Sequence, residues 1–373
     1  MLNTNNMQQT MRDAMELIRG GDLSAATMAI QQGLEEPGTS NRPTTEHPIA
    51  SAPSLDGEFH VVTETAELIV ADRDNAHPEL APTQSSQTGT FKFAEGTRDY
   101  LVYAPAEYRL RPSPLILMLH GCTQDAADFA RGTRMHQRAA AEGYVVVYPT
   151  QSRGGNSGGC WNWFRPGDQQ RDKGEPAFLA ALVSEMTQRF NCDPGRRYVA
   201  GLSAGGAMAI VLGRTYPDVF RAVGAHSGLA YGAARDVPSA LSAMRSGAAR
   251  RFSDCEGIRK LVFVPTIVFH GDQDRTVDVS NANQIIEDAT QAWASSRANA
   301  EGRPDAATTE SVARAPGYTN TSIHDASGKT LLESWVVHGG GHAWFGGDAA
   351  ASYTNPTGPD ATAEMLRFFR NAD

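Results

Sequence analysis

Cysteine is scarce: the 373 residues hold four, at 122, 160, 192 and 255, with no Cys-x-x-Cys spacing among them. That is too few for a disulfide-built scaffold, and it carries no paired zinc signature. No apolar run approaches the roughly 20 residues that span a bilayer, and residues 1–9 lack the basic and apolar segments of a secretory signal. A cytoplasmic chain with ordinary reduced thiols is therefore expected; in an exported one, the first pairing to expect is Cys122 with Cys160. Positive charge is in deficit as well. With 33 Lys and Arg against 42 Asp and Glu, the formal net charge is −9, which argues against nucleic acid as a partner, since displacing phosphate counterions needs a basic face. What remains, 40% hydrophobic and 20% charged residues, is the composition of a globular enzyme-sized chain.

The rhythm of the sequence changes along its length. Met7, Met11, Met15 and Ile18 fall at helical spacing, Gly20 and Gly21 end the pattern, and Asp22 can cap a second helix with Leu23, Ala26, Ile30 and Leu34. Residues 1–36 thus read as a helical hairpin whose apolar face suits docking, self-association or attachment to a hydrophobic particle. Pro, Ser, Thr and small polar residues dominate 37–87, a linker or draped arm with one short strand near Val61. Over 88–373, strands are predicted at 91–93, 100–105, 115–119, 145–148, 197–200, 222–225, 266–269 and 331–337. Several are apolar without alternation, as strands covered on both faces are. Leu179, Leu182, Val183, Met186 and Phe190 form the stripe of a helix on the sheet, and Met365, Leu366, Phe368 and Phe369 mark the last helix. Alternating strands and helices specify an α/β fold with a doubly wound, mostly parallel sheet, whose functional groups belong at the carboxyl ends of the strands.

Gly-Leu-Ser-Ala-Gly-Gly at 201–206 stands between a predicted strand and the apolar helical stretch 207–212. A Gly-x-Ser-x-Gly turn in that setting holds Ser203 out as a nucleophile, because the glycines lack the Cβ atoms that would clash in so sharp a bend. The competing reading is a tight turn whose serine only caps the helix. A nucleophilic serine needs a base and an orienting carboxylate, and in such sheets the chain order is serine, acid, histidine. Of ten histidines, that order leaves His324, His338 and His342. His342, in the glycine-rich loop 339–347 after the last strand, is placed as the base. His338 is expected to pack at the strand end and His324 to be solvated in a polar, hairpin-like stretch.

Two aspartates compete for the third role. Asp274, further from the strand end, can turn back toward His342, whereas Asp272 suits stabilising its own loop through backbone amides; Asp274 is favoured and both stay open. The oxyanion of a tetrahedral intermediate is expected to meet the N–H groups of Ala204, next to the nucleophile, and of Cys122, after the turn at Gly121. Cys122 would then offer its amide and not its thiol.

Taken together, Leu-His-Gly-Cys-Thr-Gln at 119–124, Cys-Trp-Asn-Trp-Phe at 160–164, the 201–206 elbow, His-Gly-Asp-Gln-Asp at 270–274 and Gly-His-Ala-Trp at 341–344 resemble the polyhydroxybutyrate depolymerase family of esterases. Feruloyl and acetylxylan esterases are relatives within that group. The resemblance runs over roughly 88–371 and implies an α/β-hydrolase fold and hydrolysis of carboxylic esters. By motif position it supports Ser203, Asp274 and His342 as a triad, with Cys122 and Ala204 as oxyanion donors. No metal or other cofactor is expected. The partner is then an ester, small or oligomeric, of short-chain or hydroxyalkanoate type; the alternatives are a feruloyl or acetylxylan ester, or a binding protein that keeps the fold without turnover. Secreted depolymerases of this kind carry a signal peptide and a polymer-binding module that this sequence does not show, so activity on crystalline polymer is not expected. Trp344, Trp161 and Trp163 offer broad apolar faces for an acyl or alcohol subsite, core packing being their other reading. Residues 227–251 break the α/β rhythm and are expected to roof the cleft, with Tyr231 and Met244 lining it.

Overall fold

The computed structural model describes residues 84–94, 96–248, 262–301, 308–314 and 317–372. The helical hairpin predicted over 1–36, the short strand near Val61 and the linker up to residue 83 lie outside the described residues. Among the described residues one ten-stranded sheet runs in the order β1-β2-β4-β3-β5-β6-β7-β10-β9-β8. Its strands are β1 (Gln84–Phe93), β2 (Gly96–Pro105), β3 (Ser113–Leu119), β4 (Val145–Pro149), β5 (Cys192–Leu202), β6 (Ala222–His226), β7 (Thr266–Gly271), β8 (Thr308–Arg314), β9 (Tyr318–His324) and β10 (Thr330–Val337). From β4 through β10 neighbouring strands are parallel; β1 and β2 at one edge and β9 and β8 at the other are antiparallel.

Helices cover both faces, which is why β3, β4, β6 and β7 are buried along their whole length and read as unbroken apolar runs. They are α1 (Ala126–Thr133), α2 (Met135–Ala140), α3 (Gly174–Arg189), α4 (Ala204–Thr215), α5 (Val237–Ser246), α6 (Ser280–Glu301) and α7 (Ala361–Asn371). The pleat of β3 sorts its side chains between two cores. Leu115, Leu117 and Leu119 pack with Leu179, Leu182 and Val183 of α3 and Met208 and Leu212 of α4, whereas Ile116 and Met118 pack with Phe129 of α1, Met135 of α2 and Met365 and Phe369 of α7. The α/β-hydrolase arrangement follows: a doubly wound, mostly parallel sheet with the Ser203 turn between β5 and α4.

The sheet is wider than the sequence suggests. β1 starts at Gln84, inside the segment read as linker, and β8 and β9 form an antiparallel hairpin at the far edge where no strand was predicted. Every residue of β9 is only half-buried, so Thr, Asn and Ser serve there as well as apolar residues would, and the hydrophobic signal is missing. His324 lies on β9, hydrogen-bonded to Ser322 Oγ at 2.9 Å and Thr330 Oγ1 at 3.2 Å.

Cys122 and Cys160 are joined by a disulfide, with Cα atoms 4.2 Å apart. This corrects the expectation of reduced thiols for that pair, which periodicity and composition could not reveal. Cys192 is a free, buried thiol that burial pushes up to about 12, too high for a reactive thiolate; Cys255 is outside the described residues. The cross-link closes a span of 38 residues. Cys160→Ala is therefore expected to lower stability by about 2–4 kcal/mol, mainly by freeing the unfolded chain, as read from urea unfolding with a lower midpoint and a steeper slope, since the freed unfolded chain exposes more surface.

Candidate active site

Ser203 ends β5 and opens α4 with φ 57° and ψ −120°, a left-handed conformation that non-glycine residues hold only where the surroundings enforce it. Its N–H donates to the His226 carbonyl at 2.8 Å, and its own carbonyl accepts the Ala207 N–H at 2.9 Å. A Cβ on Gly201 would lie 2.4 Å from the Gly205 carbonyl, and one on Gly205 would lie 2.0 Å from the Leu119 carbonyl oxygen. Both elbow glycines are thus required for the turn to seat against the end of β3. The Ser203 side chain makes no capping hydrogen bond to α4, which removes the reading of this serine as a mere helix cap.

The loops after β7 and β10 bring Asp274 and His342 together: Nδ1 of His342 lies 2.7 Å from Oδ2 of Asp274. The other carboxylate oxygen, Oδ1, accepts the N–H groups of Thr276 at 2.9 Å and Val277 at 2.8 Å. Burial alone would raise this carboxyl. The hydrogen bond and charge of His342, the charge of His270 and the Val277 N–H outweigh it and hold Asp274 below the usual carboxylate range. It is therefore ionised at neutral pH, and as an acceptor it requires the proton of the His342 ring to sit on Nδ1. Ser203 Oγ and His342 Nε2 form no hydrogen bond among the described residues, with each other or with a third group; contacts of this kind commonly tighten only once substrate is bound.

Asp272 does not stabilise its own loop. It reaches across to β10's loop, accepting the Gly339 N–H at 2.7 Å and meeting His338 Nδ1 at 3.1 Å. His338, expected to pack at its strand end, is exposed and also contacts Thr319 Oγ1 at 2.9 Å. The loop-stabilising role foreseen for Asp272 belongs to Asp274 itself, through Oδ1.

On the opposite side of Ser203 lies the loop after β3. A Cβ on Gly121 would lie 3.6 Å from Ser203 Cβ, so the following peptide borders Ser203. Thr123 N–H donates to the Gly158 carbonyl at 2.9 Å and Gln124 N–H to that of Gly121 at 3.4 Å; neither bond uses the Cys122 N–H that precedes them. Ala204 is the first residue of α4, where N–H groups lack an intrahelical acceptor and the helix end carries partial positive charge.

The tryptophans are core residues, which corrects their expected place in a substrate subsite. Trp344 and Trp161 have no exposed surface and Trp163 is 6% exposed. Trp344 pairs in a short parallel ladder, β11 (Trp344–Phe345) with β12 (Thr354–Asn355). Its ring meets Phe129 edge-on at 5.6 Å and stacks on His226 at 5.1 Å, and its Nε1 donates to Thr362 Oγ1 at 3.0 Å. Trp344→Ala should cost about 3–5 kcal/mol of stability, measured by urea unfolding, whereas Trp344→Phe should leave the preference among esters unchanged. Tyr231 is also misplaced by the sequence reading. With Arg214, Val223 and Thr266 it lines a cavity of about 130 Å³ at the amino ends of β6 and β7, away from the strand ends that carry Ser203, and its hydroxyl donates to the Gln169 carbonyl at 2.8 Å. α5 lies beside the loop after β7, the Met244 carbonyl accepting the Asp278 N–H at 2.7 Å, while the Met244 side chain packs partly buried against the core.

Sequence reasoning missed Tyr353 and His226. The Tyr353 ring stands edge-on to the His342 imidazole at 6.3 Å, and its hydroxyl lies 3.5 Å from Thr123 Oγ1, so it spans from His342 to the loop after β3. His226, fully buried, accepts the Phe345 N–H on Nε2 at 3.2 Å while its carbonyl holds Ser203. Burial, with His270 and His342 nearby, keeps its ring neutral by pushing its proton affinity well down. No local motif marks either residue. Among the described residues no group of His, Cys, Asp and Glu could hold a metal ion.

A family model described as Esterase PHB depolymerase matches residues 98–311, more than half of the chain. The chain belongs to the Esterase PHB depolymerase family. The matched stretch of this family member includes Ser203 and Asp274 and ends before His342. It is similar to a poly(3-hydroxyalkanoate) depolymerase C of Paucimonas lemoignei, 32% identical over 62% of this chain and 55% of the relative. It is also similar to a feruloyl esterase B of Neurospora crassa, 34% identical over 36% of this chain and 47% of the relative, and to a poly(3-hydroxybutyrate) depolymerase of Ralstonia pickettii, 30% identical over 66% and 51%. The esterase-family chain thus spans about half the length of these curated relatives. An acetyl xylan esterase from Aspergillus awamori shares the fold, with a TM-score of 0.56 and 19% identity over 77% of this chain and 99% of that one.

Proposed function

We propose that the chain is a serine carboxylic ester hydrolase acting on short-chain or hydroxyalkanoate-type esters. The observation that carries this reading is the 2.7 Å Asp274–His342 hydrogen bond, made at the same strand ends as the Ser203 elbow and in the chain order serine, acid, histidine. In the proposed cycle Ser203 Oγ attacks the ester carbonyl while His342 Nε2 takes its proton. The N–H groups of Cys122 and Ala204 receive the resulting oxyanion. The alcohol leaves with the proton from His342; water, deprotonated by the same nitrogen, then cleaves the acyl-enzyme, and the carboxylate departs as Ser203 regains its proton. The names of the depolymerase relatives favour hydroxyalkanoate esters, and those of the feruloyl and acetylxylan esterases mark the alternative. The Cys122–Cys160 disulfide favours an oxidising compartment over a cytoplasmic one as the place of work.

The test is a panel of p-nitrophenyl butyrate, hydroxybutyrate oligomers, methyl ferulate and acetylated xylan, run beside labelling with a fluorophosphonate. Turnover of oligomers above the two plant-type esters is expected. Preference for methyl ferulate or acetylated xylan would reassign the substrate, and a folded chain that neither turns over nor labels would be a binder.

A further inference from the structure

Eight non-glycine residues among those described hold a positive φ, and three of them meet at one site: Ser203 at 57°, Thr123 at 67° and Tyr353 at 51°. β-Branched and bulky aromatic side chains resist this conformation most, and it persists only where the surroundings enforce it. Thr123 is pinned by its N–H to the Gly158 carbonyl at 2.9 Å and by the disulfide of its neighbour Cys122. Tyr353 is pinned from both sides. Its carbonyl accepts the Trp344 N–H at 2.8 Å, while the preceding Ser352 donates its N–H to Asp128 Oδ1 at 3.2 Å and accepts Gln124 Nε2 on its carbonyl at 3.0 Å.

The two strained turns bring two hydroxyls together. Thr123, exposed, and Tyr353, half-buried, place Oγ1 and Oη 3.5 Å apart. Good O–H···O bonds are roughly 2.5–3.0 Å long, so the pair gains little from itself. Two donors at that spacing can both reach one oxygen at about 2.8 Å, and a carbonyl oxygen has the two lone pairs to accept them.

In the cycle described above the ester carbonyl oxygen faces the Cys122 N–H and the alcohol oxygen faces His342. Tyr353 bridges the same two elements, its ring edge-on to His342 at 6.3 Å and its hydroxyl beside the residue that follows Cys122. It therefore runs along the alcohol half of the bond to be cut. Resting on the ester-hydrolase reading, we propose that Thr123 and Tyr353 form a subsite for a second carbonyl, one carried on the alcohol part of the ester. A 3-hydroxyalkanoate repeat supplies such a carbonyl two carbons from the carbon that bears the ester oxygen. A sugar ester has hydroxyls there, and methyl ferulate has nothing.

Two butyrate esters isolate the contact: methyl 3-(butyryloxy)butanoate, and sec-butyl butyrate, which has a methyl in place of the methoxycarbonyl group. Each is followed by butyrate release, and each kcat/KM is divided by the rate of the same ester with hydroxide, which removes the difference in leaving group. The corrected ratio should favour the first ester on the order of 10-fold in the wild type. Tyr353→Phe and Thr123→Val each remove one hydroxyl and keep the shape, and each should lower that ratio about 3-fold, the loss appearing in KM. Thr123→Ser, which keeps the hydroxyl, should retain it. A ratio that is the same in wild type and variants, or that falls as far in Thr123→Ser as in Thr123→Val, would overturn the proposal.

Should neither variant fold, the wild type decides. A corrected ratio near one overturns the subsite, and a 10-fold preference with competitive inhibition by methyl 3-hydroxybutanoate and none by 2-butanol at equal concentration supports it. A wild-type chain that neither releases butyrate nor takes a fluorophosphonate fails the ester-hydrolase reading instead.

Discussion

Replacing Ser203 with Ala is expected to lower the hydrolysis of p-nitrophenyl butyrate on the order of 10⁶-fold, the loss seen when the nucleophile of a serine triad is removed. The melting temperature should not move. The hydroxyl makes no hydrogen bond to the helix it opens, and the contacts that hold the elbow, to the His226 carbonyl and from the Ala207 N–H, belong to the backbone and survive the change. The left-handed φ of 57° is no harder for alanine than for serine, since both carry a Cβ. The variant should also lose covalent labelling by a fluorophosphonate, which separates loss of the nucleophile from loss of binding. A variant that kept the wild-type rate would show that attack comes from elsewhere, and the whole constellation would have to be abandoned.

Those parts of the structure that depend on local pattern were legible in the sequence. The central strands β3, β4, β6 and β7 are buried on both faces, and this single physical condition writes an unbroken apolar run into each. The stripe from Leu179 to Phe190 is buried in the same core as Leu115 and Val199. The elbow was legible because close approach of the Leu119 and Gly205 backbones leaves no room for any residue but glycine at 205 and 201.

What was not legible depends on contacts between distant segments. Trp344 reads equally well as a binding surface or a core residue until Phe129, His226 and Thr362 are seen around it. Tyr353 approaches His342 through a turn in which its own φ is 51°, a conformation nothing in its neighbours announces. Cys122 and Cys160, the pairing expected first for an exported chain, meet where the loops after β3 and β4 come together; only whether the bond forms was beyond the sequence. The stretch around His324 read only as hairpin-like, and β9 escaped as a strand because its half-buried polar residues leave no hydrophobic period to count.

Of the two aspartates that the sequence left open, Asp274 should prove indispensable and Asp272 dispensable. In Asp274→Asn the amide oxygen can still accept the Thr276 and Val277 N–H groups now held by Oδ1, so the loop should keep its shape. The amide nitrogen, however, would then face His342 Nδ1 across the 2.7 Å now spanned by a hydrogen bond, donor against donor. Relief comes if the imidazole moves its proton to Nε2, leaving Nδ1 to accept, and a ring protonated on Nε2 has no lone pair for the Ser203 proton. The expected loss in kcat is about 10⁴-fold with little change in KM.

The pH dependence separates the two groups. Because the folded state lowers the Asp274 carboxyl below its ordinary range, its stabilising contribution is complete above the unfolded value of about 3.9 and is lost only as pH falls through the lower folded value. An acid-side fall in rate above pH ~5 therefore belongs to protonation of an imidazole, and Asp274 stays ionised throughout it. Asp272→Asn, by contrast, alters an exposed contact with His338 and keeps an oxygen for the Gly339 N–H, an effect of about 0–1 kcal/mol on stability with no tautomer at stake. Measuring both variants side by side from pH 5 to 8 decides the assignment: equal rate losses, or a larger one in Asp272→Asn, would move the orienting role to Asp272 and leave the buried carboxylate without a part in the chemistry.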